Sequence, residues 1–139
     1  MANKILKGAF FHHIALRAKN YEASKKFYID ALGMTMKGEW GADGDHGCML
    51  CIGNGGIVEL YEGGQEELPA DFERRSGCFF HLAIAVDDVD DAYRICLDAG
   101  AKAHIAPCDN TIGSVPPMPI RMAFIIGPSG ELIELFKDM

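Results

Sequence analysis

HIAL at residues 13–16 and HLAI at residues 81–84 are near copies of one pattern, in which a histidine precedes three apolar residues. A second pattern, IVELY at residues 57–61, returns as LIELF at residues 132–136, with a glutamate at the centre of each copy. Because both patterns recur in the same order, the sequence predicts a chain that folds as two similar units.

The two histidines and two glutamates interrupt strands that are otherwise apolar. A buried carboxylate costs several kcal/mol unless it is paired or bound to a metal. Two imidazoles and two carboxylates that converge on one point suit a divalent transition metal. We therefore predict a metal site made of His13, Glu59, His81 and Glu134.

Alternation along the strands predicts which side chains accompany these ligands, because every second residue of a strand points to the same face. The opposite faces are apolar and are expected to pack under helices. With ligands on one face and core residues on the other, each sheet is expected to be concave and half open. On the ligand-bearing faces we expect the ligands, Arg17, and the aromatic residues Phe11, Phe79, Tyr61 and Phe136, which either line a pocket or belong to the core.

The composition is that of one domain of residues 1–139, with 49% hydrophobic and 24% charged residues. The net charge of −7 argues against nucleic acid as a partner, because phosphate binding needs a basic surface. No apolar run is long enough to span a bilayer, and the N-terminus lacks the apolar segment of a signal peptide, so we expect a cytoplasmic protein without a membrane partner.

Five cysteines do not suggest a disulfide framework. Cys48 and Cys51 are read as small apolar core residues, with redox or zinc chemistry as the alternative.

Each half is predicted to contain a strand, a helix and three further strands, which makes the fold α+β. The first unit spans about residues 9–62, a polar linker about 63–77, and the second unit about 78–137. Asn20 and Asp88 are predicted to cap the two helices, and Gly33 and Gly100 to end them. Residues 107–119, which are rich in proline, are predicted to be a loop that acts as a lid.

The chain resembles the vicinal oxygen chelate superfamily, which includes glyoxalases, bleomycin-resistance proteins and extradiol dioxygenases. The resemblance covers residues 9 to 137. It is carried by the two histidine patterns, by SKKFY at 24–28 with ALGM at 31–34, and by GPSGELIEL at 127–135. It implies paired β-α-β-β-β units whose curled sheets enclose a metal-binding cleft, with ligands at His13, Glu59, His81 and Glu134. It also implies a homodimer.

Within that superfamily the ligand set is most similar to that of glyoxalase I. The resemblance implies a lyase or isomerase that acts on the hemithioacetal of a 2-oxoaldehyde through a metal-stabilised enediolate. Glu134 is implied as the catalytic base, with Glu59 assisting on the other face of the substrate. Arg17, four residues after the first histidine, is implied as a residue that holds substrate carboxylates. One divalent ion per site is expected: nickel, cobalt, zinc or manganese.

Three other functions compete with this one. An extradiol dioxygenase uses two histidines and one glutamate on iron and tends to be a longer chain, so it ranks below the other two. An acyl-coenzyme A epimerase, such as methylmalonyl-coenzyme A epimerase, uses the same proton abstraction but usually has glutamine at the position of Glu59 and a small residue at that of Arg17. A small-molecule or drug-binding resistance protein uses the same cleft without a reaction. Two sequence features depart from glyoxalase I: the turn at residues 127–130, where Asp-Pro-Asp-Gly is usual, and the run at residues 61–64.

The remaining histidines, His12, His46 and His104, are not part of the repeated pattern. We therefore interpret them as surface or packing residues. The sequence leaves open the substrate and the thiol cofactor. It also leaves open whether one chain or two chains of a dimer supply the ligands.

Overall fold

A computed structural model describes residues 4–139. It contains eight strands, two α-helices and one short 3-10 helix at Phe72–Arg74. The first-half elements are β1 (His13–Arg17), α1 (Tyr21–Asp30), β2 (Thr35–Trp40), β3 (Gly47–Cys51) and β4 (Ile57–Tyr61). The second-half elements are β5 (Leu82–Ala85), α2 (Val89–Asp98), β6 (Lys102–Ile112), β7 (Met118–Ile126) and β8 (Leu132–Asp138).

The described chain separates into two compact units, with the boundary between Gly64 and Gln65. Each unit has one four-stranded mixed sheet, in the order β1-β4-β3-β2 in the first and β5-β8-β7-β6 in the second. In both, the first and last strands pair in parallel and the other neighbours pair antiparallel. The prediction of an α+β fold with two β-α-β-β-β units is confirmed, and both sheets are open.

One face of each sheet forms the core of its unit. In β4 the side chains of Val58 and Leu60 are buried, and in β8 those of Ile133 and Leu135 are buried. These residues alternate with the glutamates, which are only partly exposed on the other face. The alternation predicted from the sequence is therefore the alternation that the strands show.

The two helices begin directly after the predicted caps and end at Asp30 and Asp98, slightly before the glycines predicted to end them. The Oδ1 atom of Asn20 accepts a hydrogen bond from the Ala23 backbone N–H at 3.0 Å, and Oδ1 of Asp88 accepts one from Asp91 at the same distance. Such caps satisfy backbone donors that the first helical turn leaves unpaired. Gly33 and Gly100 follow the helices with φ angles of 65° and 98°, a conformation that favours glycine.

The prediction of a loop over residues 107–119 is wrong for most of that segment. Residues up to Ile112 belong to β6, the segment from Met118 belongs to β7, and only the residues between them form the connection. Pro107 is accommodated because the β6–β7 register shifts between Ile105 and Cys108, and β6 is an edge strand, where a missing N–H is tolerated.

Two strands are also shorter than the sequence predicts, since their apolar patterns extend over residues 10–17 and 79–86. Phe10 and Phe11 precede β1, and Phe79, Phe80 and His81 precede β5. The cysteines of the Cys-x-x-Cys run are free thiols on β3, with Cys48 buried and Cys51 partly exposed. Among residues 4–139, no helix has the length and apolarity needed to cross a membrane.

Candidate metal centre

The first unit brings His13 and Glu59 together. His13 opens β1 and lies opposite Ile57 of β4, whereas Ala15 lies opposite Glu59. The histidine and the glutamate are therefore diagonal neighbours on one face of a parallel strand pair. His13 Nε2 lies 3.4 Å from Glu59 Oε2, and the side chains are 40% and 13% exposed.

The second unit repeats this arrangement with His81 and Glu134. Ala83 of β5 lies opposite Glu134 of β8, so the histidine again stands two residues before the alanine that faces the glutamate. His81 Nε2 lies 3.3 Å from Glu134 Oε2, and the side chains are 29% and 13% exposed. The predicted repeat is thus a repeat of geometry as well as of sequence.

The spacing within each pair fits two donors to one metal ion. Donors held 2.0–2.2 Å from one ion, at the angles of an octahedral or tetrahedral site, lie about 2.8–3.6 Å apart. The observed separations of 3.3 and 3.4 Å fall within that range. They are longer than the usual N–H···O hydrogen bond of about 2.7–3.2 Å. The N–O separation in each pair is therefore compatible with ligation of one ion.

Neither pair is a complete metal site. The part of the chain from residue 4 onward contains no group of three or more His, Cys, Asp or Glu side chains arranged to hold a metal ion. Protein metal sites ordinarily use three or four protein ligands. The convergence of the four predicted ligands on one ion therefore stays a prediction.

The second pair is partly buried and lies among aromatic residues. Phe124 of β7 lies opposite Glu134, and its ring meets the edge of the His81 ring, with centroids 5.5 Å apart. Burial raises the pKa of Glu134, and the nearby His81 opposes that shift. The buried Nδ1 atom of His81 has no hydrogen-bond partner among the described residues.

Arg17 and Tyr61 form a contact beside the first pair. They lie opposite each other in the β1–β4 register, and the guanidinium carbon is 5.5 Å from the centre of the tyrosine ring. Arg17 Nη1 donates to the Glu62 carbonyl oxygen at 2.7 Å. Burial raises the pKa of Tyr61, and hydrogen bonding to Glu59 raises it further. Arg17 is thus held next to the first pair by an aromatic ring and a backbone oxygen.

The other predicted lining residues are placed differently. Phe136 shares the face of Glu134 two residues further along β8 and is partly exposed. Phe11 lies outside β1 and is 66% exposed. No contact in the described structure assigns either of them to a pocket, so their role as lining residues stays a prediction.

Sequence reasoning missed the contact that His12 makes. Its Nδ1 atom lies 2.8 Å from Nδ1 of His13, which is hydrogen-bond distance from a predicted metal ligand. Strand alternation places neighbouring residues on opposite faces. It therefore predicts no contact between His12 and His13, but His12 precedes the strand and does not follow this alternation. His46, also outside the repeat, stacks on Tyr21 and lies 2.9 Å from the Glu62 carboxylate.

Comparison with known proteins agrees with the fold. Residues 10–135 match the Glyoxalase/Bleomycin resistance protein/Dioxygenase superfamily, and the chain belongs to that superfamily. The uncharacterized protein YaeR of Escherichia coli strain K12 is 33% identical, with 91% of this chain and 95% of YaeR covered.

Solved structures share the fold at lower sequence identity. A glyoxalase family protein from Enterococcus faecalis is 22% identical with a TM-score of 0.72, covering 94% of this chain and 98% of that one. A glyoxalase I mutant from Zea mays is also 22% identical, with a TM-score of 0.65, covering 89% of this chain and 43% of that one.

Replacing Glu134 with glutamine tests the environment of its carboxyl group. Because its pKa is raised in the folded chain, the folded state binds the proton more tightly than the unfolded state. The free energy of unfolding of the wild type should therefore fall as pH rises from about 4.3 through the folded pKa. Glu134→Gln has no ionisable group at this position, so its free energy of unfolding should not fall for this reason. The free energy of unfolding of the variant, relative to that of the wild type, should therefore increase over that pH interval.

Urea unfolding of chelator-treated protein, from about pH 3.5 to about pH 7.5, measures the difference. The most acidic point is the internal reference, because the carboxyl group is protonated there in both states. If the free energies of unfolding of the two proteins differ by the same amount at every pH, the result would contradict the raised pKa of Glu134.

Proposed function

We propose that the protein is a metal-dependent lyase or isomerase of the glyoxalase I type, with His13, Glu59, His81 and Glu134 as ligands of one divalent ion. The observation that carries the proposal is the duplicated His–Glu pair, which has the same diagonal register and nearly the same N–O separation in both units. Two unrelated pairs of surface residues have no reason to agree in both respects.

The donor set limits the identity of the ion. Imidazole and carboxylate ligands suit nickel, cobalt, zinc and manganese, and availability in the cell selects among them. When bound, such an ion supplies Lewis-acid stabilisation of negative charge on substrate oxygen atoms. The proposal holds whether both pairs come from one chain or from two chains of a homodimer.

The glutamates supply the proton transfer. Glu134 is the proposed base, which takes a proton from a carbon next to a carbonyl group and returns it to the neighbouring carbon. Burial raises its pKa in the metal-free chain, which makes the carboxylate a stronger base, whereas the charge of a bound ion acts in the opposite direction. Glu59 is proposed to assist from the other face of the substrate.

Substrate recognition is proposed to use Arg17 together with the aromatic residues Phe11, Tyr61 and Phe136. The contacts of Arg17 with the Tyr61 ring and the Glu62 carbonyl use only part of its donor capacity, since a guanidinium group carries five N–H donors. The remaining donors suit the carboxylates of a thiol such as glutathione. The proposed substrate is therefore a hemithioacetal of a 2-oxoaldehyde.

The ligand set predicts about one tightly held divalent ion per chain. After loading and removal of excess metal, elemental analysis should find this ratio for the wild type and almost no metal for His13→Ala or His81→Ala. His104→Ala is the matched control, because His104 is exposed on β6 and belongs to neither pair. Wild-type protein that retains no metal would refute both the lyase and the epimerase functions.

Glutamine at position 134 should separate an enzyme from a binding protein. At saturating metal, we expect Glu134→Gln to lower kcat for the hemithioacetal of glutathione and methylglyoxal by about 10²–10⁴-fold, the usual contribution of a general base. Glu66→Gln, at an exposed position outside both pairs, should leave kcat unchanged.

Calorimetry on the same proteins follows binding apart from turnover. Binding without turnover by the wild type would favour a small-molecule binding protein. Turnover of an acyl-coenzyme A instead of the hemithioacetal would favour the epimerase.

A further inference from the structure

The two nitrogens of the His13 ring face different partners. Nε2 lies 3.4 Å from Glu59 Oε2, whereas Nδ1 lies 2.8 Å from Nδ1 of His12. The second distance is within the range of a hydrogen bond and the first is not. The rings of His12 and His13 are nearly perpendicular, at 86°, so they do not stack.

This hydrogen bond bears on metal binding because a neutral imidazole has one N–H and one lone pair. A histidine that binds metal through Nε2 must carry its proton on Nδ1. The partner of that Nδ1–H fixes the tautomer and the orientation of the ring. Carboxylates, backbone carbonyls and water usually serve as the partner. Here the atom within reach is an imidazole nitrogen of the preceding residue.

The second unit lacks this partner. Phe80 precedes His81 as His12 precedes His13, and its ring lies edge-on to His81 with centroids 4.8 Å apart. A phenyl ring offers no nitrogen, and the His81 Nδ1 atom is the buried side-chain atom left without a partner among residues 4–139. The two histidines are therefore equivalent in position but are supported differently.

We propose that His12 is a positioning residue: its Nδ1 accepts the Nδ1–H of His13 and leaves the Nε2 lone pair of His13 directed toward Glu59 and the metal ion. The inference rests on the proposed function, because it concerns a ligand of the proposed metal centre. It adds an asymmetry, in which the ligand of the first unit is oriented by a side chain and that of the second unit is enclosed by aromatic rings.

Two substitutions at position 12 isolate the acceptor atom. His12→Phe gives the first unit the residue that the second unit has, and it removes the acceptor. His12→Asn places the amide oxygen on Cγ, where the imidazole carries Nδ1, so it restores an acceptor with a smaller side chain. We expect His12→Phe to raise the Kd for zinc by about 10- to 100-fold, the usual effect of losing such a partner. His12→Asn should recover most of that loss.

A nuclear magnetic resonance measurement detects the hydrogen bond independently of activity. In ¹⁵N-labelled wild-type protein, a scalar coupling across the N–H···N bond should connect Nδ1 of His12 and Nδ1 of His13, with and without zinc. In the zinc-bound form the proton should be attached to Nδ1 of His13. The coupling should be absent in His12→Phe.

Each result has a distinct meaning. Zinc affinity that is unchanged in His12→Phe would overturn the inference and leave the proposed metal site intact. Equal losses in His12→Phe and His12→Asn would also overturn it, because the acceptor atom would then not matter. A wild-type protein that binds no zinc would refute the proposed function and, with it, the role of His12. The coupling in the metal-free protein would still test the hydrogen bond itself.

Discussion

The parallel pairing of the first and last strand of each unit is the constraint on which the candidate site depends. It brings a residue from the start of the unit next to one from its end, and its register determines which residues are diagonal neighbours. The register is specified by the core, because Leu60 and Leu135 are almost completely buried on the opposite face. A shift by one residue would turn Glu59 or Glu134 into that core and expose the leucines. The same apolar packing that stabilises each sheet thus positions its His–Glu pair.

The equivalence of the two pairs is geometric, and their surroundings differ. In the first unit, Tyr61 and Arg17 lie near the glutamate and His12 contacts the histidine. In the second, phenylalanine rings surround His81. A duplicated scaffold with two different environments is suited to a reaction in which two carboxylates act on different faces of a substrate. In the proposed reaction, Arg17 and Tyr61 of the first unit orient the substrate and Glu134 of the second unit supplies the base.

Much of this arrangement was predictable from the sequence because it follows from periodicity and repetition. Alternation around Glu59 and Glu134 gives the buried and exposed faces, and the repeat gives the topology. The helix caps follow from the side-chain chemistry of Asn20 and Asp88. The strand limits did not follow, since Pro107 was read as a sign of a loop, although an irregular edge strand accommodates it. The contact between His12 and His13 was not predictable, because it depends on the ring orientation of a residue outside the strand. A comparison of His12 with Phe80 in the repeat would have drawn attention to that position.

The central claim is that two histidines and two glutamates from equivalent pairs bind one ion. X-ray absorption spectroscopy of the zinc-loaded protein tests it most directly, because multiple scattering from imidazole rings allows the histidine ligands to be counted. Two imidazoles per zinc, with nitrogen and oxygen donors at about 2.0–2.2 Å, are predicted for the wild type, whether the pairs come from one chain or from two. A single imidazole per zinc would show that the two pairs do not share an ion and would contradict the account.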